Sequence, residues 1–261
     1  MKKIIALFLS AVLLLGVGAV SAAAKDGLAD QIEDKLHASI QREENSPEWI
    51  TALPYAQDES ITQLFVVAGF GTDKTTATVS MHERDENGAW KQILSTPGYV
   101  GKRGLCPDAA HVEGCGQTPM GVYRFNKAFG IAPDPGCAIP YTQVTDGIWW
   151  SGDPREAMRY NEMVDIKEYP ELAKDDSEHI AEYEYQYQYC LNISFNEDGT
   201  PGRGSAIFLH CFGTLKPYTG GCVSLPENIM KIVMQRVKPE CVVVIDTLEH
   251  FSPATWKAWG F

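Results

Sequence analysis

The sequence predicts a mainly β fold, sandwich-like, with a few helices, one of them following a cysteine. Two observations carry this. Short apolar or alternating runs separated by turn residues recur from residue 61 onward, and the second half holds only one strongly periodic helix. Gln63 to Ala68 is apolar, and Thr75 to Met81 alternates. Asn87-Gly88 supplies a hairpin turn before Trp90. Gly121-Val122-Tyr123-Arg124-Phe125 reads as a further strand. Tyr183, Tyr185, Tyr187 and Tyr189 repeat with period two and run into Cys190 to Phe195, the clearest strand pattern in the chain. Asp198-Gly199 turns the chain back toward Ser205 to His210. Ser224-Leu225-Pro226-Glu227 reads as a capping box opening a helix, whose Ile229, Ile232, Val233 and Val237 recur at helical spacing. Cys241 to Ile245 is apolar throughout, as a central strand would be.

The N-terminus reads differently. Lys2-Lys3 precede an apolar run from Ile4 to Val20, and Ala22-Ala23-Ala24 offers a cleavage site. Residues 1–24 are therefore expected to be a signal peptide, the small residues from Gly16 to Ala24 favouring cleavage over a retained anchor. The mature chain is therefore expected to be exported, outside the cell or, in a Gram-negative source, in the periplasm. Residues 25–60 are expected to be an N-terminal helix and linker, with Leu28, Ile32, Leu36 and Ile40 at helical spacing and Ser46-Pro47 ending the helix. A main domain over 61–249 and a tail over 250–261 complete the expected organisation.

The formal charge is −12, and loss of Lys2 and Lys3 with the leader takes it to −14. No Lys/Arg cluster interrupts this acidity, which argues against nucleic acid and anionic lipid as partners. No stable membrane insertion is expected once the leader is gone. The cysteines, at 106, 115, 137, 190, 211, 222 and 241, are seven, an odd number that leaves at least one free thiol unless the chain dimerises through it. Cys106 and Cys115 are close enough in sequence to bridge a loop, whereas Cys190 and Cys241 lie in strand-like runs where a buried thiol is the plainer reading.

The chemistry concentrates in Thr219-Gly220-Gly221-Cys222-Val223-Ser224-Leu225, downstream of His210, which ends the apolar run Ala206-Ile207-Phe208-Leu209. A cysteine beside the positive end of a helix is favoured as thiolate. Gly220 and Gly221 allow a sharp turn whose amides can face an oxyanion. Cys222 is then the nucleophile and His210 the base. The competing readings are a core histidine and an inert buried thiol. Zinc on His210, Cys211 and Cys222 lacks C-x-x-C or H-x-x-x-H spacing, so neither metal nor other cofactor is expected. A papain-like peptidase is a poor match, because its cysteine signature is absent and the histidine here precedes the cysteine. Cys211 directly follows the candidate base and so passes near Cys222, although adjacent strand residues point to opposite faces.

Taken together these residues resemble the L,D-transpeptidases with a YkuD-type catalytic domain, and specifically a T-x-G-C subgroup. The family signature falls on His210, Thr219, Gly221, Cys222 and Val223. Gly116 to Tyr123, containing Thr118-Pro119-Met120-Gly121, is similar to the family's T-P-x-G strand entry, and Gly98 to Gly104 to its G-x-x-G-K-x-G approach. A longer insert, Leu105 to Gly114, lies between the two, and the resemblance spans roughly residues 61–249. Trp149 to Pro154 and Tyr160-Asn161 resemble a further stretch of the subgroup. At most one of the two tryptophans lines a site, and core packing is the alternative for both. Two positions depart: Gly220 stands where many members have histidine, and Ser224 where they have arginine. Cys211 replaces a common Ser/Thr, yet its carbonyl can orient the imidazole.

The resemblance implies attack by Cys222 on the bond between the L-centre of the third-position diamino acid and the terminal D-alanine of a peptidoglycan stem peptide. D-Alanine leaves, a thioester remains, and a neighbouring stem's amine resolves it into a 3→3 cross-link. Water as acceptor makes the same site an L,D-carboxypeptidase. Thr219, Trp150 and Tyr123 are the candidate substrate contacts. The alternative from another class is a catalytically silent wall-binding protein of the same fold, which the departures at Gly220 and Ser224 favour.

Overall fold

Fourteen strands in the computed structural model, which describes residues 44–213 and 216–260, account for most of its regular structure. The expected leader and residues 25–43 lie outside the described residues. In chain order the first strands are β1 (Glu44–Asn45), β2 (Gln63–Gly69), β3 (Thr76–Arg84), β4 (Trp90–Tyr99), β5 (Leu105–Pro107), β6 (Thr118–Gly130) and β7 (Tyr141–Gln143). There follow β8 (Ile148–Trp150), β9 (Met163–Asp165), β10 (Glu178–His179), β11 (Cys190–Ile193), β12 (Phe208–Cys211), β13 (Val223–Leu225) and β14 (Val242–Thr247).

The continuous apolar runs take the middle of the main sheet. Strand β14 lies between β2, parallel to it, and β6, antiparallel to it. Both faces of β2 are covered, which is why its sequence does not alternate. Leu64 and Val66 pack with Trp90 and Val244 under two short helices, while Phe65 meets Phe125 edge-on at 5.3 Å on the other face.

The path runs β4-β13-β12-β11-β6-β14-β2-β3, and β3 then pairs with β4. The fold is mainly β, but the sheet expected as a sandwich closes on itself. Closure gives each strand of the ring two neighbours and removes open edges. A separate three-stranded sheet, β10-β8-β9, stands beside the ring.

Helices α1 (Glu48–Thr51) and α2 (Pro54–Gln57) bury Ile50, Leu53 and Ala56 against β2 and β14. After β14, α4 (Leu248–Phe251) brings Phe251 to 5.8 Å from Trp49, and α5 (Pro253–Ala258) follows. Residues 44–60, expected as helix and linker, thus pack on the same sheet, as does Phe251 of the expected tail, whereas α5 has no buried residue. Among the described residues no helix is long and apolar enough to cross a membrane.

Two local expectations are overturned. The tyrosine repeat is not a strand: Tyr187 N–H donates to Tyr183 O at 2.9 Å, a helical turn that brings their rings to 4.6 Å. That turn buries Tyr187 (4% exposed) and leaves Tyr185 in solvent (59%), whereas a strand would have put both on one face. The capping box is not formed either. Ser224 lies inside β13, held between His210 of β12 and Tyr99 of β4, with Val223 and Leu225 fully buried. The helix, α3 (Glu227–Arg236), begins only after Pro226 and has no side-chain cap.

Candidate functional site

Strand register brings Cys222 and His210, the expected nucleophile and base, onto one face of the sheet. Strands β12 and β13 run parallel, with Leu209 beside Val223 and His210 beside Ser224. Paired residues share a face, as do alternate residues of a strand, so Cys222 falls on the face of Phe208 and His210. Cys211 falls on the opposite face, where its Sγ lies 3.7 Å from Tyr189 O. Its side chain is therefore turned away from Cys222.

Cys222 and His210 line one cavity of about 500 Å³, together with Glu113, Glu178, Tyr183 and Ser224. Inside it His210 Nδ1 lies 2.7 Å from Cys211 O. A carbonyl only accepts, so Nδ1 carries the proton and Nε2 of the neutral ring is left bare. Burial lowers the His210 pKa to about 4, so the ring is neutral near pH 7 and competent as a base. The edge of Tyr187 holds it in place, with ring centroids 5.4 Å apart.

Cys222 is buried with its Sγ between two backbone groups. It accepts from Phe208 N–H at 3.3 Å and donates to Ala206 O at 3.1 Å. Burial raises the thiol pKa and the Glu178 charge adds to that, with the Phe208 amide opposing. The expected helix-end thiolate is not present, because α3 starts too far downstream and its N-terminus is not at the sulfur. The resting pair is neutral thiol and neutral imidazole.

The turn before Cys222 is held by hydroxyls. Thr219 Oγ1 accepts from Gly221 N–H at 3.1 Å and donates to Cys222 O at 2.6 Å, and Thr118 donates to the same carbonyl at 3.1 Å. Thr219 therefore shapes the turn, and the Gly221 amide is taken up by it. The amides of Gly220 and Cys222 make no hydrogen bond among the described residues and are left free to donate. Gly221 adopts φ +156°, and a Cβ there would meet Gln117 O at 3.0 Å. Gly101 is equally constrained, since its Cβ would lie 2.5 Å from Gly116 O.

Trp150 and Tyr123, expected as substrate contacts, do not line the cavity. Trp150 is buried against Phe129 and Phe208, and its Nε1–H donates to Asn161 Oδ1 at 3.0 Å. That oxygen also accepts from Ala206 N–H at 3.0 Å, while Ala206 sits at φ +54° with its carbonyl accepting from the Cys222 thiol. Trp150 thus acts at one remove, by fixing the backbone that receives the Cys222 thiol. The Tyr123 hydroxyl lies 2.9 Å from Asp108 Oδ2, tying β6 to the insert between Leu105 and Gly114. Trp149 stacks on His179 at 4.4 Å.

The insert itself supplies cavity wall. Glu113 Oε2 accepts from Tyr160 at 2.5 Å and Ser205 at 2.8 Å, and Lys102, His111 and Cys115 also line the space. Cys106 and Cys115 are free thiols close enough that Cys115, after burial, helps push the Cys106 thiol up to about 11. Sequence reasoning missed Glu113, Glu178 and Ser224 as cavity residues. Glu178 follows Asp175-Asp176, a run that reads as solvated surface, and Ser224 reads as a helix cap.

No model of a known protein family matches the chain, and neither does any curated protein. Among solved structures, it is similar to the helical cell shape determining protein Pgp2 of Campylobacter jejuni, at 15% identity and a TM-score of 0.36. The match covers 82% of this chain and 55% of that one. A point mutant of the same protein gives 16% identity and a TM-score of 0.35, over 82% and 54% of the two chains. At these scores the likeness carries no argument about activity.

Proposed function

We propose that this chain is an exported cysteine acyltransferase of the L,D-transpeptidase type, acting on peptidoglycan stem peptides through a thioester on Cys222. The supporting observation is the pair itself: a buried thiol and an imidazole with a bare Nε2, on one sheet face and lining one cavity. The substrate class rests on the sequence resemblance.

In this reading His210 Nε2 takes the thiol proton as Sγ attacks the carbonyl, so charge separates only when substrate is bound. The free amides of Gly220 and Cys222 stabilise the oxyanion. D-Alanine leaves with the proton from His210, and an amine or water resolves the thioester. The buried, protonated resting thiol is the observation that favours the silent wall-binding alternative.

Mass spectrometry with a carbapenem separates the two. An adduct on Cys222, lost in Cys222→Ser, together with D-alanine release from a tetrapeptide stem, supports the enzyme. An unmodified protein that binds wall fragments without releasing D-alanine overturns it.

A further inference from the structure

Glu178 is given no task by the reaction above. It lies half-buried on β10 and lines the cavity of Cys222 and His210. Tyr187 donates its hydroxyl to Oε2 at 2.6 Å. Among the described residues Oε1 accepts no hydrogen bond, and no Lys, Arg or His pairs with the carboxyl. The cavity's own cations, Lys102 and Lys216, make no ion pair with it.

The groups that share its field are Tyr183, Tyr187, Cys190 and Cys222, with Glu113 as a like charge. Its neighbour His179 is engaged elsewhere, with Asp146 and Glu182. Burial, assisted by Glu113 and opposed by the Tyr187 hydrogen bond, raises the Glu178 carboxyl to about 7. An anion left unbalanced at this depth is costly. It also acts against the nucleophile, since it raises the Cys222 thiol. A cation arriving with the ligand removes both penalties.

We infer that Glu178 is the residue that receives the acyl acceptor's amine, holding its ammonium group beside the Cys222 thioester and taking one proton from it. The inference rests on the acyl-transfer reading and deepens it by favouring an amine over water. The ammonium passes one proton to the Glu178 carboxylate, leaving a free amine and a neutral carboxyl. The amine nitrogen bonds to the thioester carbonyl carbon, the C–S bond breaks, and its electron pair leaves on Sγ. A second proton passes from nitrogen through His210 Nε2 to Sγ, restoring thiol and imidazole. Glu178 then returns its proton to water, so the net products are amide, thiol and one proton.

The test is the partition of the acyl-enzyme between glycinamide and water, read by mass spectrometry of the products from pH 5 to 9. In the wild type the amide-to-acid ratio rises through a step near pH 7. Glu178→Gln lowers the ratio at pH 7 at least tenfold and leaves only the later rise that the glycinamide amine gives as it deprotonates near about pH 8. Tyr187→Phe, which removes the hydrogen bond that opposes protonation, moves the step to higher pH. An unchanged ratio in Glu178→Gln overturns the inference. Should that variant not fold, an unmoved step in Tyr187→Phe overturns it equally. A wild type that forms no acyl-enzyme overturns the acyl-transfer reading as well, so the two failures are distinguishable.

Discussion

If the resting thiol is neutral, iodoacetamide should modify Cys222 slowly at pH 7 and ever faster up to pH 10. An ordinary thiol with its pKa at 9.0 is about 1% thiolate at pH 7, and burial at this site lowers that fraction. An ion pair would require charging His210, whose pKa is about 4; at pH 7 that costs about 4 kcal/mol, at 1.36 kcal/mol per unit. A helix N-terminus supplies only about 0.3–1 kcal/mol, too little to reverse this even if α3 began at the sulfur. The assay is peptide mapping of carbamidomethylated Cys222 between pH 6 and 10, with Cys222→Ser reporting the other six thiols. The expected log rate climbs by about one per pH unit with no plateau below pH 9. Glu178→Gln should speed the reaction, because its charge is one of the causes that raise the thiol. A plateau with its midpoint below pH 7 would refute the reasoning and establish a thiolate–imidazolium pair.

Acid should destabilise the fold from pH 6.5 downward. Buried His210 and His82 have pKa values lowered by desolvation to about 4 and about 3, so the unfolded chain binds their protons first. Each then removes about 1.4 kcal/mol per pH unit between 6.5 and 4. Glu178, raised to about 7, works in the opposite direction, because its stability contribution is full below its ordinary 4.5 and is lost as pH rises through 7. Urea melts at half-unit steps should give a net positive slope from pH 4.5 to 6.5, and a flat profile would contradict it. Gly221→Ala should cost about 1–3 kcal/mol through its positive φ and its contact with Gln117 O, and lower turnover at least tenfold. Wild-type kinetics in that variant would show that the turn is not needed. Trp150→Phe should keep most of the core but release Asn161 and Ala206, lowering Tm by several degrees and turnover more than Tm alone explains. An unchanged kcat at a reduced Tm would make Trp150 purely structural.

The sequence by itself determined the strands whose pattern is local. Gln63 to Ala68, apolar after its first residue, and Cys241 to Ile245 lack alternation because both faces of β2 and β14 are covered, and Asn87-Gly88 had to turn. It also brought Cys222 and His210 into view, since glycines before a cysteine and a histidine ending an apolar run are visible in one dimension. The tertiary structure decided what no local pattern carries. Ser224-Leu225-Pro226-Glu227 has every mark of a cap, yet pairing on both sides with His210 and Tyr99 draws Ser224 into β13. The alternating tyrosines fit a strand, but burying Tyr187 against Phe129, Phe208 and His210 required a helical turn. The closure of β3 onto β4, the neutral state of Cys222 and the place of Glu178 in the cavity all depend on long-range packing. Desolvation sums over everything around a group, and the segments that surround Cys222 come from β10, β12 and the Tyr183 turn, far apart in the chain.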